Sequence, residues 1–413
     1  MRLRSSLVFA VMFSVVFAAS LATPGMSAPT RPPIAVRIVS SLPMQGGSRL
    51  FTEGIVNAIQ LALSEVPAGA GTQISYKAMD DGDAAGAWQP SLETANAQAA
   101  LADASVVAYI GPFNSGAARV SIPILCAGGL VMVSPTNTDP SLTRPTFFGD
   151  QSGCRRNYAR VIQTDDTQGA IGAAWAASFG TRSAYVLAFE NSFSQGVAAA
   201  FREKAARVGI DLVGFETLPS TFRSTDVVAR VAAAHPELVY FAADGPAGFV
   251  LRDLRLAGSD ALFVGPSALR DNTDIIAQAG GLAIGALATS ESWDPPAFTG
   301  PAVRFRTRYL ERYHIEPAPY VIYGYDAAKV VIAAILAAGE RAGDRGAVLR
   351  HVLATTNFSG ALGCWSFDSF GDTNLSTVST SIVGPSGWRP NGPASARALR
   401  PTCGREESED VAP

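Results

Sequence analysis

The sequence predicts an α/β protein built as two lobes, and three observations carry that prediction. From Ile34 onward, short apolar runs of strand length alternate with helix-length apolar periodicity, the βαβ rhythm of a parallel sheet with helical crossovers. A second series of the same kind begins near Gln168. At 413 residues the chain also exceeds one ordinary domain. Further helices and strands follow the second series, so the chain is expected to cross between lobes more than once.

The first series opens with the strand Ile34–Val39, which ends in Ser40-Ser-Leu-Pro-Met-Gln-Gly-Gly47. A helix is expected from about Phe51 to Glu65, with Ile55, Ile59, Leu61, Ala62 and Leu63 on its apolar face. Gln73–Met79 alternates as a strand and stops at Asp80-Asp81-Gly82. A helix from about Ser91 to Asp103 leads to the strand Val106–Ile110. That strand runs into Tyr109-Ile-Gly-Pro-Phe-Asn-Ser-Gly116; a helix is expected over Ala117–Gly129, and then Val133-Ser-Pro-Thr-Asn-Thr-Asp-Pro140 ends a neighbouring strand. Both strand ends present hydroxyls and backbone N–H groups, and ligands of open α/β sheets sit at that edge.

In the second series a helix is expected over Gly169–Phe179, a strand over Ser183–Phe189 and the loop Glu190-Asn-Ser-Phe-Ser194. The helix Gln195–Val208, strand Asp211–Phe215 and helix Asp226–Ala234 follow. The strand Leu238–Ala242 ends at Ala243-Asp244-Gly245-Pro246, and the helix Ala247–Leu256 precedes the strand Leu262–Gly265 and the loop Pro266-Ser-Ala-Leu269. Helices at about 301–313, 319–339 and 344–353 come next, then β-like segments Cys364–Phe367 and Ser376–Val383. From about Pro393 the composition is that of a disordered tail, ending Arg405-Glu-Glu-Ser-Glu-Asp410.

Residues 1–28 have the layout of a secretory signal peptide: Arg2 and Arg4, an apolar run Leu7–Ala22, and small residues offering cleavage after Ala22 or Ala28. The alternative is an uncleaved anchor, for which the apolar run is short. With no cysteine near either cleavage site, a lipid anchor is not expected. Removing Arg2 and Arg4 from the 32 basic residues leaves 30 against 35 acidic. A mildly acidic exported monomer without a basic run has no electrostatic footprint for nucleic acid. In an oxidising compartment the four cysteines, Cys126, Cys154, Cys364 and Cys403, suggest two disulfides with three connectivities open. Spacing favours Cys126–Cys154 and Cys364–Cys403, with buried free thiols as the alternative.

Catalysis finds little support. His235, His314 and His351 are the only histidines, each without a nucleophile nearby in sequence, and surface or capping roles suit them better. There is no G-x-S-x-G elbow and no H-E-x-x-H, and Gly111-x-x-x-x-Gly116 lacks the Lys-Ser/Thr of a phosphate loop. Asp80-Asp81 reads as a solvated strand end or helix cap rather than a metal site. Neither a cofactor nor a metal is expected. Binding residues are better marked. Ser115 and Gly116 begin a helix whose unpaired N–H groups favour a carboxylate, and Thr136, Asn137 and Thr138 offer donors from the next strand. Helix capping is the competing use of these residue types.

The segments Gly111-Pro-Phe-Asn-Ser-Gly116, Ile122-Pro-Ile-Leu125 and Val133-Ser-Pro-Thr-Asn-Thr138 resemble the Leu/Ile/Val-binding protein family, type I periplasmic binding proteins that serve ABC importers. The similarity runs from about Ile34 to Val383. It takes in Ser40-Ser-Leu-Pro-Met-Gln-Gly46, Asp80-Asp81, Phe193-Ser-Gln-Gly196, Leu238-Val-Tyr-Phe241, Gly265-Pro266 and Tyr323-Gly-Tyr-Asp-Ala327. The resemblance implies two Rossmann-like lobes joined by three crossover strands and closing on a ligand. Lobe 1 would comprise 29–163 with 290–375, and lobe 2 164–289 with 376–392, leaving 393–413 as the tail. It further implies that Ser115 holds a ligand carboxylate and that Thr138 binds through its main and side chains. Phe193 falls at a lid position that is often tyrosine, and Tyr320 near an aromatic wall. Ser267 stands where an acidic residue commonly receives the ammonium; either Asp244, at the end of the preceding strand, takes over that role, or the ligand is not an α-amino acid, and capping of the following helix is the competing use of Asp244. The expected role is an exported solute-binding protein working with a membrane permease; a sensing module acting through a separate signalling partner is the alternative.

Overall fold

The computed structural model describes residues 32–144, 147, 156–219, 221–242, 246–271, 274–290, 298–375, 377–395 and 403. The expected leader 1–28, Cys154, Asp244 and most of the expected tail lie outside the described residues.

Strands β1 (Ile34–Leu42), β2 (Thr72–Asp80), β3 (Val106–Ile110), β4 (Val131–Ser134) and β5 (Tyr158–Arg160) form a parallel sheet in the order β2-β1-β3-β4-β5. β3 and β4 are buried at every residue, which is why they read as continuous apolar runs rather than alternating ones. Helices α1 (Arg49–Ser64), α2 (Pro90–Ala102) and α3 (Ser115–Ala127) are the crossovers. The second sheet takes β6 (Ser183–Phe189), β7 (Asp211–Leu218), β8 (Leu238–Ala242), β9 (Leu262–Gly265), β10 (Leu287–Ser290), β13 (Thr377–Gly384) and β14 (Gly387–Ser395), in the order β14-β13-β10-β9-β8-β6-β7. Its first five strands in sequence are parallel, while β13 and β14 add an antiparallel hairpin. Its helices are α4 (Asp165–Ser178), α5 (Ser192–Val208), α6 (Ser224–Ala234), α7 (Ala247–Leu256), α8 (Ser267–Asp271) and α9 (Ile275–Ala279).

Between β10 and β13 the chain forms α10 (Pro301–Tyr313), α11 (Val321–Ala338), α12 (Arg345–Leu353) and the hairpin β11 (Phe358–Gly360)–β12 (Gly363–Trp365). These pack on the first sheet: Phe305, Tyr309, Ile322, Val331, Val348 and Trp365 share a core with Ile38, Ile55 and Val107. The chain therefore leaves lobe 1 after β5, returns after β10 and leaves again before β13, making three crossings. The opposite face of sheet one buries Tyr109, Ile122 and Leu125. Two further cores line the two faces of sheet two.

Helix α11 is buried along most of its length, and an all-round apolar helix belongs in a core. It docks closely on α1, since a Cβ at Gly54 would lie 2.5 Å from Val321 Cγ2. Asp326, in the Tyr323-Gly-Tyr-Asp-Ala327 motif, pins the β11–β12 hairpin to this helix. Its carboxyl accepts from Ala361 N (2.7 Å), Leu362 N (3.0 Å) and Trp365 Nε1 (3.0 Å).

Strands β5, β10, β11 and β14 have no local signature in the sequence. The first three have only 3, 4 and 3 residues, too few to show a period. β14 carries two prolines and reads as coil, but it is an edge strand, where proline is tolerated. Its pairing through Pro393↔Ser379 to Ser395 corrects the tail's expected start at Pro393. Cys364 and Cys403 form a disulfide with a Cα–Cα distance of 5.1 Å. Cys126 is also disulfide-bonded.

Candidate functional site

The carboxyl end of β4 turns sharply because Ser134 Oγ accepts from the backbone N of Thr136 (3.2 Å) and Asn137 (2.9 Å). This turn aims both side chains at the loop after β3. Thr136 Oγ1 donates to Phe113 O at 2.8 Å, and Asn137 Nδ2 donates to the carbonyls of Pro112 and Phe113, each at 3.0 Å. Asn137 Oδ1 in turn accepts from Tyr158 at 3.2 Å. These two predicted ligand residues thus have their side chains committed to holding the 111–113 loop. Thr138 is buried, and its carbonyl accepts from Asp165 N at the start of α4 (2.9 Å).

Beneath this edge lies Arg160, a fully buried residue that the sequence reading missed. It donates to Asp372 Oδ1 (2.6 Å), Asn137 O (3.0 Å), Asp139 O (2.7 Å) and Thr143 Oγ1 (2.8 Å). One guanidinium therefore ties the 137–143 loop to a segment more than two hundred residues away, and no local pattern could have revealed that. Beside it, Asp139 pairs with Arg119 at 2.6 Å. Burial pulls the Asp139 carboxyl up, but Ser141 and Arg119 outweigh it and hold it below the usual range.

Ser115 and Gly116 open α3 as expected. Ser115 Oγ accepts from Asp139 N at 3.4 Å. Gly116 lies against Trp88, and a Cβ there would come within 2.7 Å of Cζ2, so a larger residue would push the indole aside. Tyr320 sits immediately before α11 with φ 72°, a left-handed conformation rare for a bulky side chain. Its ring meets Phe51 and Phe113 edge-on, with centroids 6.0 and 5.8 Å apart, and Phe51 stacks on Phe113 at 6.4 Å. Three segments thus bring aromatic rings together beside Ser115. Phe113 lay inside the recognised motif; Phe51 and Trp88 carried no local signal.

On lobe 2, Phe193 begins α5 and packs partly against that lobe's core. Ser267 is buried at the first position of α8. Ser194 accepts from Phe189 N at 2.6 Å and donates to Ala242 O, joining the ends of β6 and β8. Arg270 donates to Ser290 (3.1 Å) and Ser381 (3.3 Å) on strands next to two of the crossings. Asp244 lies outside the described residues.

Two other expectations resolve clearly. His235 and His314 end α6 and α10 with φ of 44° and 58°, so they are capping residues. Asp80 accepts from Met44 N (2.9 Å) and Gly82 N (2.8 Å), so it ties the turn after β1 to the end of β2 rather than capping a helix. Asp81 corrects the expectation of a solvated strand end: it is fully buried. The 82–88 segment folds back through a Gly82↔Trp88 bridge, and Gln89 N returns to donate to Asp81 O at 2.8 Å.

Two lobes of parallel sheet, with polar carboxyl-terminal edges and three crossings, define a two-lobed α/β binding protein. The sequence pattern of the periplasmic binding protein family matches residues 35–376, and the chain belongs to that family. It is similar to the Leu/Ile/Val-binding protein homolog 2 of Brucella abortus (strain 2308), 25% identical over 337 residues, covering 81% of this chain and 86% of that protein. Among solved structures it is similar to the leucine-binding protein LivK of Thermotoga maritima, with TM-score 0.71, 26% identity and coverage of 87% and 99% of the two chains. A solute-binding protein of an ABC transporter from R. palustris, solved in complex with benzoate, shares the fold at TM-score 0.68 and 18% identity, covering 87% of this chain and 96% of that one. These relatives are solute-binding proteins, not enzymes.

Proposed function

We propose that this chain is the extracytoplasmic solute-binding component of an ABC importer. It captures a small amino acid or related carboxylate between its lobes, which close around the crossing segments. In this reading residues 1–28 export the chain, lobe 1 is 29–163 with 291–375, lobe 2 is 164–290 with 376–395, and a membrane permease receives the closed form.

One observation carries the reading. The 13-residue helix α3 starts at the carboxyl edge of the sheet, and Asn114 before it makes no side-chain cap. Its first N–H groups are left to water or to an anion beside Ser115. Ser115 and Thr138 then hold the carboxylate, while Thr136 and Asn137 shape the loop. Tyr320, with Phe51 and Phe113, meets the apolar part. Asp244 receives the ammonium in place of the acid absent at Ser267, because a buried ammonium without a carboxylate is costly. Phe193 supplies an apolar lid. The name of the Brucella relative makes leucine, isoleucine and valine the first candidates.

A thermal-shift screen of amino acids and short or aromatic carboxylates, followed by calorimetry, tests this. A ligand at a hundred times its dissociation constant stabilises the folded state by about 2.7 kcal/mol. Ser115→Ala and Asp244→Ala are expected to weaken the hit about tenfold or more, the effect of losing a hydrogen bond to a charged group. No hit in either class would sink the reading. Hits confined to compounds without an amino group would remove the role given to Asp244 and leave solute capture standing.

A further inference from the structure

Lobe 1 buries a second polar group that solute capture does not use. Asp81 follows β2 and Glu93 lies in the first turn of α2; both are fully buried. Glu93 is well supplied with donors, accepting from Ser41 Oγ at 2.6 Å and from Tyr109 OH at 3.0 Å. Asn96 Nδ2 donates to the same Ser41 hydroxyl at 2.9 Å. Outside this pair, neither carboxyl oxygen of Asp81 receives a donor.

The surroundings make two negative charges untenable. The groups around the pair are Asp80 on β2, Tyr109 on β3, Ser41 on β1, Asn96 on α2 and Ser121 on α3. None of them is a cation. Of the two carboxyls near it, Asp81 is repelled by Asp80 and hydrogen-bonded to Glu93, and two carboxyls bond to each other only through a proton. Burial above all raises both, Asp81 to about 7 and Glu93 to about 8; the Asp80 charge adds to the first and the Asp81 charge to the second, while the hydrogen bond with Glu93 pulls Asp81 partly back.

The pair is also connected to the edge described above. Gln89 N donates to Asp81 O at 2.8 Å, and the Gly82↔Trp88 bridge closes the hairpin between them. That hairpin lays Trp88 on Gly116 at the start of α3. We propose that Asp81 and Glu93 share a proton that holds the 82–88 hairpin, with Trp88, against Gly116 in the first turn of α3, and that losing this proton in alkaline solution loosens that contact. The device is a proton-operated latch on one lobe.

The sign follows from linkage. Both carboxyls titrate higher in the folded chain than their ordinary values of 3.8 and 4.5. Between about pH 4 and pH 8 the folded chain therefore keeps protons that the unfolded chain has released. Stability falls as pH rises through that window and levels off above it.

The test uses the full chain without ligand, so its outcome is independent of the solute-binding reading. Hydrogen exchange of the 82–89 amides, corrected for intrinsic rates, is measured at about pH 6 and about pH 9. The wild type is expected to open at least about tenfold more often at the higher pH, the factor that one unit of linked pKa carries. Equal corrected exchange at both values would overturn the latch, and that measurement needs no variant. Infrared difference spectra then locate the proton. The band of a protonated carboxyl is expected in the wild type near pH 6 and lost in both Glu93→Gln and Asp81→Asn. A band unchanged in both variants would place the proton elsewhere and overturn the assignment.

Discussion

The carboxyl-terminal edges of the two sheets are finished differently. On lobe 1, Arg160, Asn137, Thr136 and Tyr158 lock two loops and the distant Asp372 into one buried network. On lobe 2 the described contacts are smaller: Ser194 bridges β6 to β8, and Arg270 reaches two serines beside the crossings. Both edges are rich in Ser, Thr and Asn, so composition does not separate them. The contrast teaches that a hydroxyl or amide at a sheet edge is just as readily scaffold as ligand contact; what decides is whether a neighbouring carbonyl already takes its proton.

Removing the centre of the lobe 1 network gives the largest expected effect. Arg160→Met should cost about 3–5 kcal/mol in chemical denaturation, because Asp372, the carbonyls of Asn137 and Asp139 and the Thr143 hydroxyl lose a buried partner. A loss under about 1 kcal/mol would mean that the lobe 1 edge is not braced in the way described. Ser194→Ala on lobe 2 should cost less, about 1–3 kcal/mol, since it leaves Phe189 N and Ala242 O unsatisfied. A cost equal to that of Arg160→Met would erase the contrast between the edges.

The next pair of variants separates scaffold from ligand contact within lobe 1. Thr136→Val should lower stability by about 1 kcal/mol through its bond to Phe113. Ser115→Ala should change stability by less than about 0.5 kcal/mol, as surface-type substitutions do, while weakening the ligand. If Ser115→Ala were instead the more destabilising of the two, their roles would be reversed.

The smallest effect expected is one of pH. Asp139 titrates below its ordinary value in the folded chain. Its contribution is therefore complete above about pH 4 and is lost as pH falls through its folded value. Asp139→Asn should flatten the acid limb of the unfolding midpoint plotted against pH. This slope is opposite in sign to that of the Asp81–Glu93 pair, so one titration series can resolve both.

Much of the fold was legible because long parallel strands and amphipathic helices repeat their pattern locally. The expected strand Val106–Ile110 and helix 301–313 coincide with β3 and α10. What escaped were short or proline-bearing strands such as β5 and β14, whose state is set by a neighbouring strand. The candidate site divides in the same way. Ser115, Gly116 and Thr138 could be named because a strand end followed by a helix start is a local event. Arg160 read as one arginine among many, and Asp81 as a surface carboxyl.

The sequence by itself determined the α/β class, the two-lobe series and the loops at 111–116 and 133–140, since these depend on residue order and periodicity. The tertiary structure alone decided which of those polar side chains are already satisfied, which rings gather around Tyr320, and that Asp81 and Glu93 lie buried together. Burial and hydrogen-bond pairing depend on which distant segments meet, and a desolvated carboxyl or guanidinium takes its properties from those partners rather than from its neighbours in the chain.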